Sequence, residues 1–328
     1  MPAYTIQSVI MTSGPNAALT TQQDVRDAVE RVRAFARRTP LLDLSDIAGR
    51  SLLLKCEHHQ PGGAFKIRGA SNMIASLSPD ALRRGVVTYS SGNHGQAVAL
   101  AAQRVGAPAV IVMPTTAPAI KIDGVRRWGG EVILEGTTSA DRRTRAEAEA
   151  AARGLTMVPP FDHAMVIAGQ GTCGLEILEQ LPNVGTVVVP VGGGGLVSGV
   201  SAAIKLTRPS VRVIGVEPAG AAKMSASLAA GHPVTLEKAA SIADGLMPVR
   251  PGDLTFAHAQ RFVDAIVTVS DEQIAKAALW LFYEAKQVVE PSGAATTAAV
   301  LNGLITTPGP VVVIVSGGNV SPATLAAL

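Results

Sequence analysis

Short β-rich runs alternate with longer alanine-rich runs along most of the chain, and no other feature of the sequence restricts the fold as much. The β-rich runs lie near Leu52–Leu54, Val86–Tyr89, Ala109–Met113, Glu131–Leu134, Thr186–Pro190, Val211–Glu217, Ala265–Val269 and Val311–Val315. Between them the spacing predicts helices over Gln96–Val105, Ser139–Arg153, Leu196–Leu206 and Asp271 to about Glu284, the last opened by a Ser270/Gln273 capping box. An earlier helix starts at Thr21 with Asp24 three residues on, presents Val25, Val29, Val32 and Phe35 on one face, and ends at Thr39-Pro40. Strands joined by helical crossovers run parallel, and a parallel sheet must be covered on both faces. The expected class is therefore α/β, with open, mostly parallel sheets.

With 328 residues, 47% of them hydrophobic and 16% charged, the chain can bury the core of two modest domains or one large α/β unit. Net charge is +3, the basic residues are scattered and aromatics make up 3%, so no nucleic-acid partner is expected. Met1 to Ala18 lacks a basic stretch followed by an apolar one, and no run approaches 18 apolar residues. Neither secretion nor a membrane partner is expected, and a cytoplasmic location is. Residues 1–20 read as a mobile arm. Cys56 and Cys173 stand apart, outside CxxC or Cys/His ligand spacing, and are expected to be buried free thiols.

Four glycine-bearing segments carry the chemical signal. Gly192-Gly193-Gly194-Gly195 follows a strand and opens the helix at Leu196, where bare backbone N–H groups converge on an anion. A dinucleotide fold is the competing reading, with Glu217 placed like a ribose-binding acid, but no G-x-G-x-x-G register fits. Ser90-Ser91-Gly92-Asn93-His94-Gly95 joins a strand to a helix and suits a carboxylate; by itself it also reads as a capped helix start. Ser316-Gly317-Gly318-Asn319 brings a hydroxyl to the same sheet edge, or is a plain turn. Gln60 to Ala70 sets Lys66 behind Phe65 in a glycine-rich stretch, where a lysine either forms a Schiff base or is simply solvated.

Together these segments resemble the fold-type II pyridoxal-phosphate enzymes, of tryptophan synthase β-like architecture, and within them the threonine/serine dehydratase and serine racemase family. The resemblance runs from Arg38-Thr39-Pro40 to Asn319 and includes Phe65 to Ala70, Ser90 to Gln96, Ile167 to Thr172, the tetraglycine loop, Ala243 to Gly245 and Glu290 to Gly293. It implies that Lys66 carries pyridoxal 5'-phosphate as a Schiff base and acts as the base at Cα, with Phe65 packed on the ring. It also implies that Gly192, Gly193, Gly194, Gly195 and Leu196 hold the phosphate, Asn93 the 3-oxygen and Ser316 the ring nitrogen, with Glu290 in the cofactor site. A serine at the ring nitrogen makes the ring a weaker electron sink than an aspartate would, which favours elimination. Ser90, Ser91, Gly92, Asn93 and His94 would surround the carboxylate of the amino-acid substrate, and Ser91 stands where racemases keep their second acid/base.

The expected activity is dehydration of L-threonine or L-serine to a 2-oxo acid and ammonia, of the catabolic type. A serine racemase-like isomerase, or a dehydratase of 3-phenylserine or 3-hydroxyaspartate, is the alternative. The chain departs from the family pattern in having Gly62-Gly63-Ala64 where relatives carry hydroxyls, and Pro248 where racemases tend to have serine. Metal-dependent racemases set a carboxylate six residues after the equivalent of Glu217; Lys223 occupies that position, so no metal is expected. Its ammonium either pairs with Glu217 or points to solvent. His163 and Arg142 read as a surface histidine and a helix arginine, with a site role as the alternative. By resemblance, residues 1–84 and 163–328 form a large domain, 85–162 a small inserted one, and the protein is a homodimer.

Overall fold

The computed structural model describes residues 4–5, 18–90, 92–117 and 119–328. Eleven strands are present among them: β1 (Tyr4–Thr5), β2 (Leu41–Asp43), β3 (Leu53–Lys55), β4 (Val86–Tyr89), β5 (Ala109–Met113), β6 (Glu131–Leu134), β7 (Thr156–Met157), β8 (Thr186–Pro190), β9 (Arg212–Pro218), β10 (Ala265–Val269) and β11 (Val311–Ile314). They form a seven-stranded sheet in the order β1-β10-β9-β8-β11-β3-β2 and a four-stranded sheet in the order β6-β5-β4-β7. Only the two edge pairs of the large sheet, β1 with β10 and β2 with β3, are antiparallel; every pair of the small sheet is parallel. The fold class is thus α/β with mainly parallel sheets.

The apolar runs explain the layering. β5, β8 and β11 read Ala-Val-Ile-Val-Met, Thr-Val-Val-Val-Pro and Val-Val-Val-Ile, and every residue of each is buried. An unbroken apolar strand is buried on both faces, so helices must lie on each side. One apolar cluster of the large sheet gathers Val188, Val313, Ile274 and Leu281; the opposite one gathers Val187, Val189, Val312 and Val200. Alternate residues of β8 and β11 therefore point to opposite layers.

Thr21 caps the Gln22–Val32 helix through the expected box with Asp24, and Ser270 with Gln273 does the same for Asp271–Tyr283. Val25 and Val32 are buried, whereas Val29 is exposed and Ala28 completes the inner face in its place. Of the expected arm, Tyr4–Thr5 lies on the edge of β10 and Thr20 is held by His258 Nε2 at 2.9 Å; residues 1–3 and 6–17 lie outside the described residues. The Ile167–Thr172 motif serves packing. There the Ala164–Gln180 and Gly195–Thr207 helices cross so closely that a side chain at Gly199 would overlap the Ile167 carbonyl, and one at Gly171 would press on the Gly199 carbonyl. Among the described residues, no helix is long and apolar enough to cross a membrane.

Candidate active site

Three adjacent parallel strands deliver the site. β3 pairs with β11 and β11 with β8, so the segments that follow them, Cys56 to Lys66, Val315 to Asn319 and Val191 to Gly195, leave the sheet at one edge. Ligands of open α/β sheets bind at this edge. The first two segments are stitched together: the Phe65 N–H donates to the Ser316 carbonyl at 3.0 Å and the Gly318 N–H to the Gly63 carbonyl at 2.9 Å, around an Ala64–Gly317 bridge. That stitching fixes the first residue of the Lys66–Ala75 helix, and so the origin of the lysine side chain.

Lys66 Nζ donates to the Pro160 carbonyl at 2.7 Å and stands 5.1 Å from the centroid of the Phe65 ring. No carboxylate among the described residues pairs with it, and burial pushes its amine down to about 8. Phe161, the residue after its partner, packs against Gly193 and Gly195, so Pro160-Phe161 ties the lysine to the glycine loop.

In that loop Gly194 has φ +100, a left-handed value that a side chain would strain. The Thr255 hydroxyl donates to the Gly193 carbonyl at 2.7 Å, which in a trans peptide turns the Gly194 N–H the opposite way. From Gly192 to Leu196 no N–H has a partner among the described residues, although Gly193 to Leu196 are buried. Unpaired buried donors are costly. A row of them at the N-terminus of the Gly195–Thr207 helix fits a phosphate, and with the amine of Lys66 it fits pyridoxal phosphate.

A chain of polar contacts closes the opposite side. Asn93 Nδ2 donates to Glu290 Oε1 at 2.7 Å, and Asn319 Nδ2 donates both to Asn93 Oδ1 and to the Gly62 carbonyl at 2.8 Å. Burial, with Asp244 nearby, pushes the Glu290 carboxyl up to about 8, so it is mostly neutral at pH 7. Ser316 is buried and its hydroxyl bonds to no described residue. The Ser90 hydroxyl accepts from the Gly92 N–H at 3.2 Å, next to the start of the Asn93–Arg104 helix. His94 turns inward, its Nε2 3.0 Å from the Val158 carbonyl, while burial and then Lys66 push it down to about 3. It offers a neutral ring rather than a charge, with Nδ1 lacking a partner among the described residues. Ser91 lies outside the described residues.

Glu217 and Lys223 are both fully buried, 3.1 Å apart. Glu217 also accepts from the N–H groups of Met224 (2.9 Å) and Ser225 (2.8 Å) and from the Ser225 hydroxyl (2.8 Å), which leaves nothing of it for a ribose. Sequence spacing set Cys56 apart from any ligand group, but the turn at Glu57–His59 brings its thiol within 4.8 Å of His58 and His59. Both imidazoles share Gln287 Oε1 at 2.9 Å, the thiol donates to the Leu54 carbonyl at 3.5 Å, and burial pushes it up to about 12, so the three side chains are engaged in hydrogen bonds. Arg142 is buried at its helix start, with Ser139 Oγ at 2.9 Å, and His163 caps the Ala164–Gln180 helix. Pro160, Phe161, Asn319 and Thr255 were not singled out as site residues from the sequence. Only Asn319 carried a signal there, as the end of its glycine motif.

Comparison with known proteins agrees with this geometry. Residues 32–317 match the family described as pyridoxal-phosphate dependent enzyme. L-threonine ammonia-lyase of Thermotoga maritima is 47% identical over 303 residues, 92% of this chain and 76% of that protein. Serine racemase of Oryza sativa subsp. indica is 43% identical over 305 residues, 90% of each chain. Among solved structures, maize serine racemase matches with TM-score 0.91 at 39% identity, covering 94% of this chain and 97% of that one. The threonine deaminase of T.th. matches with TM-score 0.88 at 41% identity, covering 92% and 99%. The chain therefore belongs to the fold-type II pyridoxal-phosphate dependent enzymes, among the relatives named threonine ammonia-lyase and serine racemase, and pyridoxal phosphate is its cofactor.

Proposed function

We propose that this enzyme dehydrates β-hydroxy amino acids, with L-threonine or L-serine as substrate and a 2-oxo acid and ammonia as products. The observation that carries the reading is the state of Lys66: a desolvated amine, lowered to about 8, held by one carbonyl and, among the described residues, by no carboxylate. Such an amine could hold the cofactor and, when free, take a proton near neutral pH.

Bound pyridoxal phosphate supplies the electron sink that makes a Cα proton removable. The rest falls to the chain. Gly192 to Leu196 would hold the phosphate, and Ser316, a neutral hydroxyl, would meet the ring nitrogen, which would leave the electron sink weak and favour elimination. The Ser90–His94 segment receives the carboxylate at a helix N-terminus, and Lys66 Nζ accepts the proton from Cα. The β-hydroxyl then leaves as water, matched by the proton taken from Cα, and yields an enamine, which becomes an imine and hydrolyses, so the water lost in elimination is regained. Residues 85–162 are read as a small domain that closes over the cleft; the Lys121–Asp244 ion pair, 2.5 Å long, joins its edge to the Asp244 turn.

Racemisation is the second reading, favoured by serine racemase relatives nearly as similar as the ammonia-lyases. The test is a panel of L-threonine, L-serine, 3-phenylserine and 3-hydroxyaspartate, followed by 2-oxo acid and ammonia release. Turnover lost in Lys66→Ala, in a protein that still folds, is expected. A loaded wild type that releases no 2-oxo acid from any of the four would sink the dehydratase reading.

A further inference from the structure

Lys223 is fully buried, and its ammonium is surrounded by oxygen: the carbonyls of Val191 at 2.7 Å, Leu246 at 3.0 Å and Ala221 at 3.1 Å, and Glu217 Oε1 at 3.1 Å. Burying an ammonium is costly unless each donor is met, and a methionine would fill the same volume without that cost. What the charge gains lies in where its acceptors sit. Val191 is the residue before the glycine loop, and its own N–H is fixed to the Val216 carbonyl at 2.8 Å. Leu246 follows Gly245, whose N–H is held by Ser292 Oγ at 2.9 Å and whose carbonyl lies against Gly192. Ala221 and Glu217 belong to the end of β9 and the turn after it. One ammonium thus joins the ends of the paired strands β8 and β9 to the Asp244–Leu246 turn, which is not part of the sheet, and Val191 directly precedes the phosphate-binding loop. Glu217, whose remaining bonds go to the first turn of the Lys223–Ala230 helix, fixes the ammonium in turn.

We propose that Lys223 is a positioning residue: a cation built into the chain that clamps the base of the tetraglycine loop and holds its N–H groups in place for the cofactor phosphate. The proposal rests on the loop's assignment to that phosphate and reaches past it to what sets the loop's shape. Because the clamp acts on the phosphate side alone, its loss must weaken pyridoxal phosphate far more than pyridoxal, which lacks the phosphate. A residue that merely supports the fold would weaken both.

The experiment compares wild type, Lys223→Met and Lys223→Ala, first by circular dichroism and then by dissociation constants for pyridoxal phosphate and for pyridoxal. The loss expected for charge-assisted hydrogen bonds, about 10- to 100-fold, should fall on pyridoxal phosphate in Lys223→Met, with pyridoxal unchanged. In Lys223→Ala, methylammonium should enter the vacated space and restore binding, while tetramethylammonium at equal ionic strength should not. Retained affinity for pyridoxal phosphate in folded Lys223→Met overturns the proposal. So do an equal loss for both ligands, failure of methylammonium to restore binding, and failure of both variants to fold. Wild type in the same titration separates these results from failure of the cofactor assignment itself, which would leave wild type without affinity.

Discussion

Replacing Arg68 by Met is the perturbation whose cost follows most directly from the structure. Arg68 Nε and Nη2 meet the two oxygens of Glu57 at 2.7 and 2.8 Å, and Nη1 and Nη2 meet those of Glu176 at 2.7 and 2.8 Å. After the substitution Glu176 keeps Lys55 Nζ at 2.6 Å, but Glu57, with 0% exposure, keeps only the neutral donors Thr39 Oγ1 and Gln60 Nε2. The cost therefore concentrates on one buried carboxylate without its counter-ion, where about 3–5 kcal/mol is usual. Proton uptake caps it. Protonating a carboxyl of ordinary value 4.5 at pH 7 costs about 3 kcal/mol, and at pH 5 under about 1 kcal/mol. In the wild type Arg68 holds Glu57 below that value against the opposing effect of burial, so this stability is present above 4.5 and lost as pH falls through the lowered value. Urea unfolding of Arg68→Met should thus show a loss of about 3 kcal/mol at pH 7 that shrinks toward pH 5. Adding Glu57→Gln should recover part of it. A loss under about 1 kcal/mol at pH 7, or one equal at both pH values, would refute the reasoning.

Three further outcomes are expected. The rate at which pyridoxal phosphate attaches to apoenzyme should rise with pH and level off above about 8, since the neutral amine is the nucleophile; at pH 7.5 about a quarter of Lys66 is neutral, against about one in a thousand for an ordinary lysine. A rate still climbing tenfold per pH unit at pH 9 contradicts this. Glu290, raised to about 8, favours folding fully below its ordinary 4.5 and progressively less up to 8, so Glu290→Gln should gain on wild type by a few kcal/mol between pH 5 and 8. A melting-temperature gap that ignores pH removes that assignment. Since the buried oxygens of Glu217 are taken up by its own neighbours, chelation should leave activity unchanged; loss on chelation that magnesium or calcium restores would show a metal requirement.

The parts of the site legible in the sequence are those in which local structure and chemistry coincide. A glycine run after a Val-rich strand can do little except turn into a helix start, and the box residues Thr21 with Asp24 and Ser270 with Gln273 are satisfied within one turn of chain. What escaped depended on contacts across long sequence separations. Pro160 reaches Lys66 across 94 residues and Asn319 reaches Asn93 across 226, and neither spacing has a local signature. Cys56 is the buried free thiol expected of it, but its nearness to His58 and His59 had no signature, because an irregular turn with no helical or strand period folds it toward them. Val29 failed because its helix touches the body of the protein along a narrow stripe in which Ala28 suffices. For Lys223, spacing left burial and exposure open, and only the three carbonyls that surround it decide between them.

The central claim is that Lys66 and its surroundings eliminate the β-hydroxyl instead of returning the proton to the other face of Cα. It is tested most directly by giving the holoenzyme L-serine and measuring pyruvate and D-serine in the same samples over time. Pyruvate and ammonia appearing in equal amounts, well ahead of D-serine, is the predicted result. D-serine accumulating to equilibrium with the L-form while pyruvate stays at background would contradict it.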